Sequence, residues 1–322
     1  MKKYLLPEGG KFYKANLHSQ STLSDGTKTP EELKAMYKAK GYSVFSFTDH
    51  DKFICHNELT DDEFLVINGF EASIVEDIPD PEYAWRKVCH LGLLAPTPDV
   101  TTAPMAYEYG KSYSHDRINN LIMRGKEKGF FITYNHPAWS LENYNDYMNI
   151  HGFDCLEITN FNCIASGTPE YNEGRYDDML RGGKRIYCLG GDDNHNTHYF
   201  NDSFGAFTMI KAEKLDYESV FAALKNGDFY ASEGPEIYEL YIEDGVVNIK
   251  TSAARSVLFS TSSRRGRNVI PRESSTDYVT SASFHLKPDE KYFRVTVTDP
   301  EGKKAYTRAY FLDEIKNTEG AI

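Results

Sequence analysis

Nothing in this 322-residue chain approaches the ~18 consecutive apolar residues of a membrane-spanning helix, so no bilayer span is expected. The start, Met1-Lys2-Lys3-Tyr4-Leu5-Leu6-Pro7, has the charged opening of a signal peptide, but its apolar run is far too short. Cysteine is scarce and badly placed for structural use. The five residues Cys55, Cys89, Cys155, Cys163 and Cys188 are odd in number, irregularly spaced and form no CxxC pair, which excludes a disulfide framework and a zinc ribbon. Three sit in or beside apolar runs and read as buried thiols, so a reducing cytoplasmic location is expected. Positive charge is also short. Lys and Arg number 36 against 48 Asp and Glu, a net charge of −12. A long nucleic acid needs a basic footprint, so it is not an expected partner. The one dense basic cluster, Arg264-Arg265-Gly266-Arg267, reads as a solvated loop. A glycine-rich phosphate loop of the P-loop type is missing, as are internal repeats and low-complexity tracts.

What is present is histidine and carboxylate at the ends of apolar runs. The 36 residues from Asn16 to Asp51 hold His18, Asp25, Asp49, His50 and Asp51 around two strand-like stretches, Phe12–Leu17 and Tyr42–Phe47. Between them Thr29-Pro30-Glu31-Glu32 has an N-cap residue followed by proline at the first helical position. The unit reads as strand, helix, strand, with ligand-type residues where each strand ends, and α/β folds build their sites there. The arrangement recurs. Leu65–Phe70 runs into Glu71, Val88-Cys89 into His90, Phe130–Asn135 into His136, Cys155-Leu156 into Glu157, and Ile186–Gly191 into Asp192-Asp193-Asn194-His195. One apolar run ending in histidine is ordinary. A whole series ending in imidazole and carboxylate predicts a centre for Zn, Mn or Fe.

The motifs His18-Ser19-Gln20, Ser24-Asp25-Gly26, Thr48-Asp49-His50-Asp51, Glu71, His90, Asn135-His136-Pro137 and Gly191-Asp192-Asp193-Asn194-His195 resemble, in order and spacing, those of the polymerase and histidinol phosphatase (PHP) superfamily. The resemblance covers roughly residues 10 to 232. It implies a distorted seven-stranded β/α barrel with up to three metals at its C-terminal face. The later stretch Asn226–Pro235 and the β-rich tail resemble more loosely the CehA/McbA branch, named for carbaryl hydrolase. Carried over position by position, the resemblance puts His18, Glu71 and Asp193 on a first metal, with Gln20 where the family usually has a second histidine. Glu71, His90 and His136 fall on a second metal, and Asp25, His50 and His195 on a third. His18, Asp25, His50, Glu71 and His195 are also the catalytic candidates. Glutamine offers a neutral carbonyl oxygen, a poorer ligand than imidazole for Zn or Fe. Asp49, Asp51 and Asp192 are placed behind the ligands, where carboxylates orient imidazoles.

Strand-like and helix-like segments alternate from residue 12 to about 210, as in a mainly parallel α/β barrel. Predicted helices are Pro30–Lys40, His115–Lys128, Tyr171–Arg181 and Tyr217–Asn226, with Gly41, Gly129, Gly182 and Gly227 at or near their ends. Residues 76–87 and 95–114 read as loops over the site. Past Ser232-Glu233-Gly234-Pro235 come short alternating runs with Asp244-Gly245 as a hairpin signal, a pattern expected of a small β-sandwich. The predicted division is 1–234 for the metallohydrolase barrel and 235–322 for the sandwich. Residues 1–232 carry a net charge of −11 and nine of the ten histidines, so acid excess and imidazole share the segment with the metals.

The expected activity is hydrolysis of a small phosphorylated substrate, with two or three divalent ions lowering the pKa of the attacking water. A carbamate or carboxylic ester is the alternative bond, and a degenerate metal-binding regulator the non-enzymatic one. Cationic side chains beside the metals would favour phosphate over a neutral ester. Arg175 and Lys184 read as charged-face residues, His198 as an exposed loop histidine, and Trp139 as either a wall of the pocket or a packing residue. Oligomeric state is not legible.

Overall fold

The structure is a computed structural model that describes residues 2–77, 86–105, 110, 112–168, 172–271 and 277–317. Local sequence rules account for its helices. Pro30–Ala39 starts on the capping box between Thr29 and Glu32, with proline at its first position. His115–Glu127 is capped by Ser114, and Tyr217–Asn226 runs from the Asp216 cap to Gly227 in the left-handed conformation. Asn172–Arg181 accounts for the fourth predicted helix, whose expected first residue, Tyr171, lies outside the described residues. So do 78–85, 106–109 and 111 of the two expected loops.

The strands form three sheets in a mixed α/β arrangement, and no ladder closes into a ring among the described residues. One sheet of five orders Gly69–Val75, Val88–Leu94, Phe131–Asn135, Cys155–Asn160 and Tyr187–Gly191 side by side. Its first three strands pair antiparallel and the rest parallel. Val88–Leu94 and Cys155–Asn160 are buried along their whole length, so the polar residues within them, His90, Glu157, Thr159 and Asn160, are enclosed in protein. The second sheet carries Phe207–Ala212, Lys11–Asn16, Val44–Phe45 and Leu65–Val66. Isolated bridges Ser19↔Asn194 and His50↔Glu71 tie the two sheets together where the ligand-type residues emerge.

The tail is β-rich, with Ile237–Glu243 turning at Asp244-Gly245 into Val246–Ala254. Both turn residues have positive φ, 48° and 76°, as a type I′ hairpin requires. Strand pairing crosses residue 234 twice among the described residues. Phe229–Ser232 pairs with Lys304–Thr307, extending the second sheet into the tail, and Lys2–Tyr4 pairs with Ile237–Glu243. A single apolar cluster joins Ile158 and Met179 to Tyr292, Tyr306 and Phe311. The basic cluster is not a bare loop. Gly266–Val269 forms a strand on Ser256–Thr261, and Arg265 pairs with Glu290 at 3.0 Å while lying over the Phe284 ring.

Candidate metal centre

Glu71 is the hub. It sits fully buried on Gly69–Val75, and its Oε1 lies 3.1 Å from His18 Nε2, 3.3 Å from His90 Nδ1 and 3.3 Å from His136 Nε2. Its Oε2 lies 3.2 Å from His50 Nδ1. Oε1 also accepts a hydrogen bond from Asn135 Nδ2 at 2.8 Å. One carboxylate oxygen has two lone pairs, too few for four donors. Asp193 Oδ1 is 3.0 Å from His18 Nε2, and Oδ2 is 3.8 Å from His136 Nε2. His18 Nε2, His90 Nδ1 and Asp193 Oδ1 are buried without a hydrogen-bond partner. Buried polar atoms are almost always paired, and these three share one small volume. Imidazole nitrogens and carboxylate oxygens aimed at a common point fit a divalent cation.

Three triads have ligand atoms within 4.8 Å of one another: His18–His136–Asp193, His50–Glu71–His90 and Asp25–His50–His195. Eight of the nine expected ligands therefore meet. In the outer triad Asp25 Oδ2 is 3.7 Å from His50 Nε2, and Asp25 Oδ1 is 3.5 Å from His195 Nε2. Gln20 reaches the site in another role. Its amide nitrogen donates to Glu71 Oε2 at 3.1 Å, and its oxygen accepts from Ser24 Oγ at 3.1 Å. A donor, not a lone pair, faces the hub.

Backbone geometry around these groups is costly and specific. His136 and Asp193 have φ of 27° and 52°, and Asp51 and Asn196 have 54° and 55°. Such conformations persist where surrounding contacts impose them, and they cluster at functional sites. Gly191 has a matching reason to be glycine: a Cβ there would come within 2.9 Å of both Glu157 Oε1 and His18 Cβ.

The second layer differs from expectation. Asp49 accepts from Ser21 N, Ser21 Oγ and Ser24 Oγ, so it shapes the turn that carries Asp25 instead of orienting an imidazole. Asp51 accepts from Ser73 N. Asp192 accepts from the N–H groups of Phe204, Gly205 and Ala206 and from Tyr37 Oη, fixing the chain behind His195. Burial pushes its carboxyl up to about 6 against those four donors. The imidazole-orienting carboxylate is Glu157, which the sequence marks as the end of an apolar run but which was assigned to no metal. Its Oε1 lies 2.8 Å from His18 Nδ1, and Asn160 Nδ2 bridges Glu157 Oε2 and Asp193 Oδ2. A glutamate inside a fully buried run was the available signal. Ser140 Oγ lies 3.2 Å from His136 Nδ1, and Asn162 Nδ2 lies 3.1 Å from His195 Nδ1.

Electrostatics bind the cluster tightly. Burial alone would lower the His18 pKa, but Asp193, Glu71 and Glu157 outweigh it and hold the ring well above its ordinary value. His136 is likewise raised to about 9, against burial, by Glu71, Asp193 and Glu157. Burial lowers His90, with Glu71 opposing. Burial would raise Glu71 and Asp193, and the imidazoles instead hold both below the carboxylate range. Two rings thus hold protons at neutral pH in the cation-free protein, and a cation must displace them. Metal affinity is expected to rise with pH up to about 9, at most roughly 100-fold per pH unit for two released protons. Titration calorimetry in buffers of different ionisation enthalpy measures this, and an affinity flat from pH 6 to 9 would contradict it.

A cavity of about 620 Å³ opens over the outer triad, walled by Trp139, Asn162, Tyr199, Phe200 and Asp202. Trp139 does both things open to it: it lines the cavity and packs 5.6 Å from His90 and 5.1 Å from His136, ring to ring. Asp202 holds the rim by accepting from His195 N and Asn196 N. The His198 ring lies 4.1 Å from the exposed Tyr199 ring, tilted by 36°.

No family model matches the chain, and no curated protein does. Among solved structures it is similar to a two-domain protein from Bacteroides vulgatus containing a predicted PHP-like metal-dependent phosphoesterase. That match has 14% identity over 96% of this chain and 98% of the other, with a TM-score of 0.48. A candidate metal-dependent phosphoesterase from Bifidobacterium adolescentis matches at 16% identity over 59% and 89% of the two chains, TM-score 0.38. An amidohydrolase from Chromobacterium violaceum, with bound sulfate and no metal, matches at 13% identity over 56% and 87%, TM-score 0.38.

Proposed function

We propose that this chain is a metal-dependent hydrolase of the PHP type, holding two or three divalent ions and cleaving a phosphate ester of a small substrate. The observation that carries the reading is the convergence of His18, Asp25, His50, Glu71, His90, His136, Asp193 and His195 from separate segments around buried atoms that lack hydrogen-bond partners. The two sheets around the site are read as an opened form of the seven-stranded barrel. Residues 1–234 supply every ligand, and 235–322 form the sandwich that braces them.

When bound, divalent cations lower the pKa of water and neutralise charge developing on the substrate. The protein's own groups have separate tasks. Glu71 joins the inner groups through both oxygens. Glu157 accepts the His18 Nδ1 proton, which leaves Nε2 as the ligating atom. The Asp193 carbonyl oxygen, 2.9 Å from His195 Nδ1, accepts that ring's proton in the same way. Trp139 and Phe200 wall the cavity over the site.

A neutral aryl or carbamate ester is the second reading. The described lining is aromatic and acidic, with Trp139, Tyr199, Phe200, Asp25 and Asp202, and carries no lysine or arginine. The deciding experiment is metal analysis of purified protein together with a panel of phosphomonoesters, phosphodiesters and aryl esters. Retained metal and chelator-sensitive phosphate release support the first reading; faster aryl-ester cleavage moves the assignment to the second. Protein that retains no Zn, Mn or Fe would sink both.

A further inference from the structure

The strands that carry the ligands at one end border a second cavity at the other. It has about 650 Å³ and lies between the strand starts at Asp154 and Ile186, Lys225 near the end of Tyr217–Asn226, and tail residues Arg308, Ala309 and Phe311. Seven residues separate Ile186 from Asp193, which at ~3.3 Å per extended residue puts the cavity roughly 20 Å from the metal centre.

In a chain of net charge −12, this cavity is basic. Its walls hold Lys184, Arg185, Lys225 and Arg308 against Asp154 and Glu314. The cations are not equally committed. Arg185 is neutralised by Asp313 and Glu314. Lys225 is 3.6 Å from Asp154, but that carboxylate already pairs with Lys126 and accepts from Ile132 N. Arg308 lies over the Tyr187 and Tyr310 rings and donates to the Gly227 and Ala309 carbonyls, with Glu314 no nearer than 3.9 Å. Lys184 is half-buried. Its ammonium reaches the Ile150 carbonyl at 2.6 Å and His151 Nδ1 at 3.2 Å, and no carboxylate lies within ion-pair distance among the described residues. Burial pushes its pKa down to about 8. Counting Lys126 and Asp313, five cations face three carboxylates, an excess of two positive charges.

We propose that this cavity is a binding site for a small dianion of the phosphate-monoester class, held between Lys184, Lys225 and Arg308. The excess charge matches a dianion, and the three groups approach from a strand start, a helix end and the tail, as a tetrahedral oxyanion needs. Lys184 and Lys225 each keep donor capacity that neutral or carboxylate partners do not use up. Because the site joins body and tail, its ligand also bridges them. The proposal is independent of the hydrolase reading.

The test is lysine acylation at pH 8, read by mass spectrometry on the full-length metal-loaded protein. The probe is methylphosphonate, a non-hydrolysable stand-in for a phosphate monoester. Lys184 labelling is expected to slow by the factor 1 + [L]/Kd, roughly tenfold at nine times Kd, while exposed lysines keep their rates. In folded Lys225→Met or Arg308→Gln protein the same protection should need about tenfold more methylphosphonate, the effect of losing one charged hydrogen-bond partner. Unprotected Lys184 in the wild type would overturn the proposal, as would protection unchanged in both variants. Equal protection by malonate at the same concentration would overturn the assignment to the phosphate class.

Discussion

Glu71→Gln protein, purified and folded, is expected to keep less than about a tenth of the wild-type metal and to lose activity by on the order of 10³-fold or more. Glu71 lies within 3.3 Å of imidazole nitrogens of His18, His50, His90 and His136. The substitution keeps the side chain's volume but removes its negative charge and turns one oxygen into an NH₂ donor. That donor must then face either the imidazole nitrogens or the Gln20 amide, which already donates to Glu71 Oε2. The buried imidazoles also lose the charge that holds His18 and His136 protonated in the cation-free protein, so the site loses affinity for metal and for protons alike. Metal analysis on the purified variant, with circular dichroism to confirm the fold, decides it. Full metal content with unchanged turnover would show that Glu71 is a packing carboxylate and that the hub has been misidentified.

Most of the candidate ligands were legible because an apolar run leads into them, and Asp25 only through its Ser24-Asp25-Gly26 motif. His136 follows Phe131–Asn135 and His90 is enclosed within Val88–Leu94, and each stands out against apolar neighbours. The helices were legible through their caps, Thr29 with Glu32 and Asp216 with Gly227. The second layer was hidden by the same logic. Glu157 follows the apolar pair Cys155-Leu156 as the ligands follow their runs, so its place behind His18 could not be told from a ligand's, and the groups that Asp192 would support were not readable. Only the fold shows that Asp192 turns toward three backbone N–H groups. The orientation of Gln20 was equally unreadable, because its amide can present either face and the choice depends on Ser24 and Glu71. Sheet order lies further out of reach. An apolar run does not say whether its neighbour is parallel, and the antiparallel Gly69–Val75, Val88–Leu94 and Phe131–Asn135 were expected in a mainly parallel barrel.

The same limit applies to the seam between body and tail, where Arg294→Met is expected to cost about 2–4 kcal/mol of stability, just under the usual range for breaking a buried ion pair. Arg294 is only 2% exposed. Tyr292–Thr298 alternates, so Phe293, Val295 and Val297 enter the tail core while Arg294 and Thr296 turn toward the helix Asn172–Arg181. Arg294 Nε and Nη2 grip Asp177 at 2.8 and 3.0 Å, Nη2 reaches Glu173 at 3.1 Å, and Nη1 donates to Thr296 at 2.8 Å. Lys304 adds a second cation to Glu173 at 2.9 Å. Methionine fills most of the volume but, among the described residues, leaves Asp177 only the exposed Arg181, 3.9 Å away, and leaves Glu173 to Lys304 alone. The carboxylates keep some water, with side chains 22% and 27% exposed, which sets the cost below that of a fully enclosed pair. Denaturant unfolding should show the loss, and adding Asp177→Asn should recover part of it, because the stranded charge causes most of the penalty. Metal content in the folded single variant should match the wild type, since every candidate ligand lies between residues 18 and 195. An Arg294→Met protein as stable as the wild type would mean that the seam is held by its apolar cluster and that the ion pairs contribute nothing net.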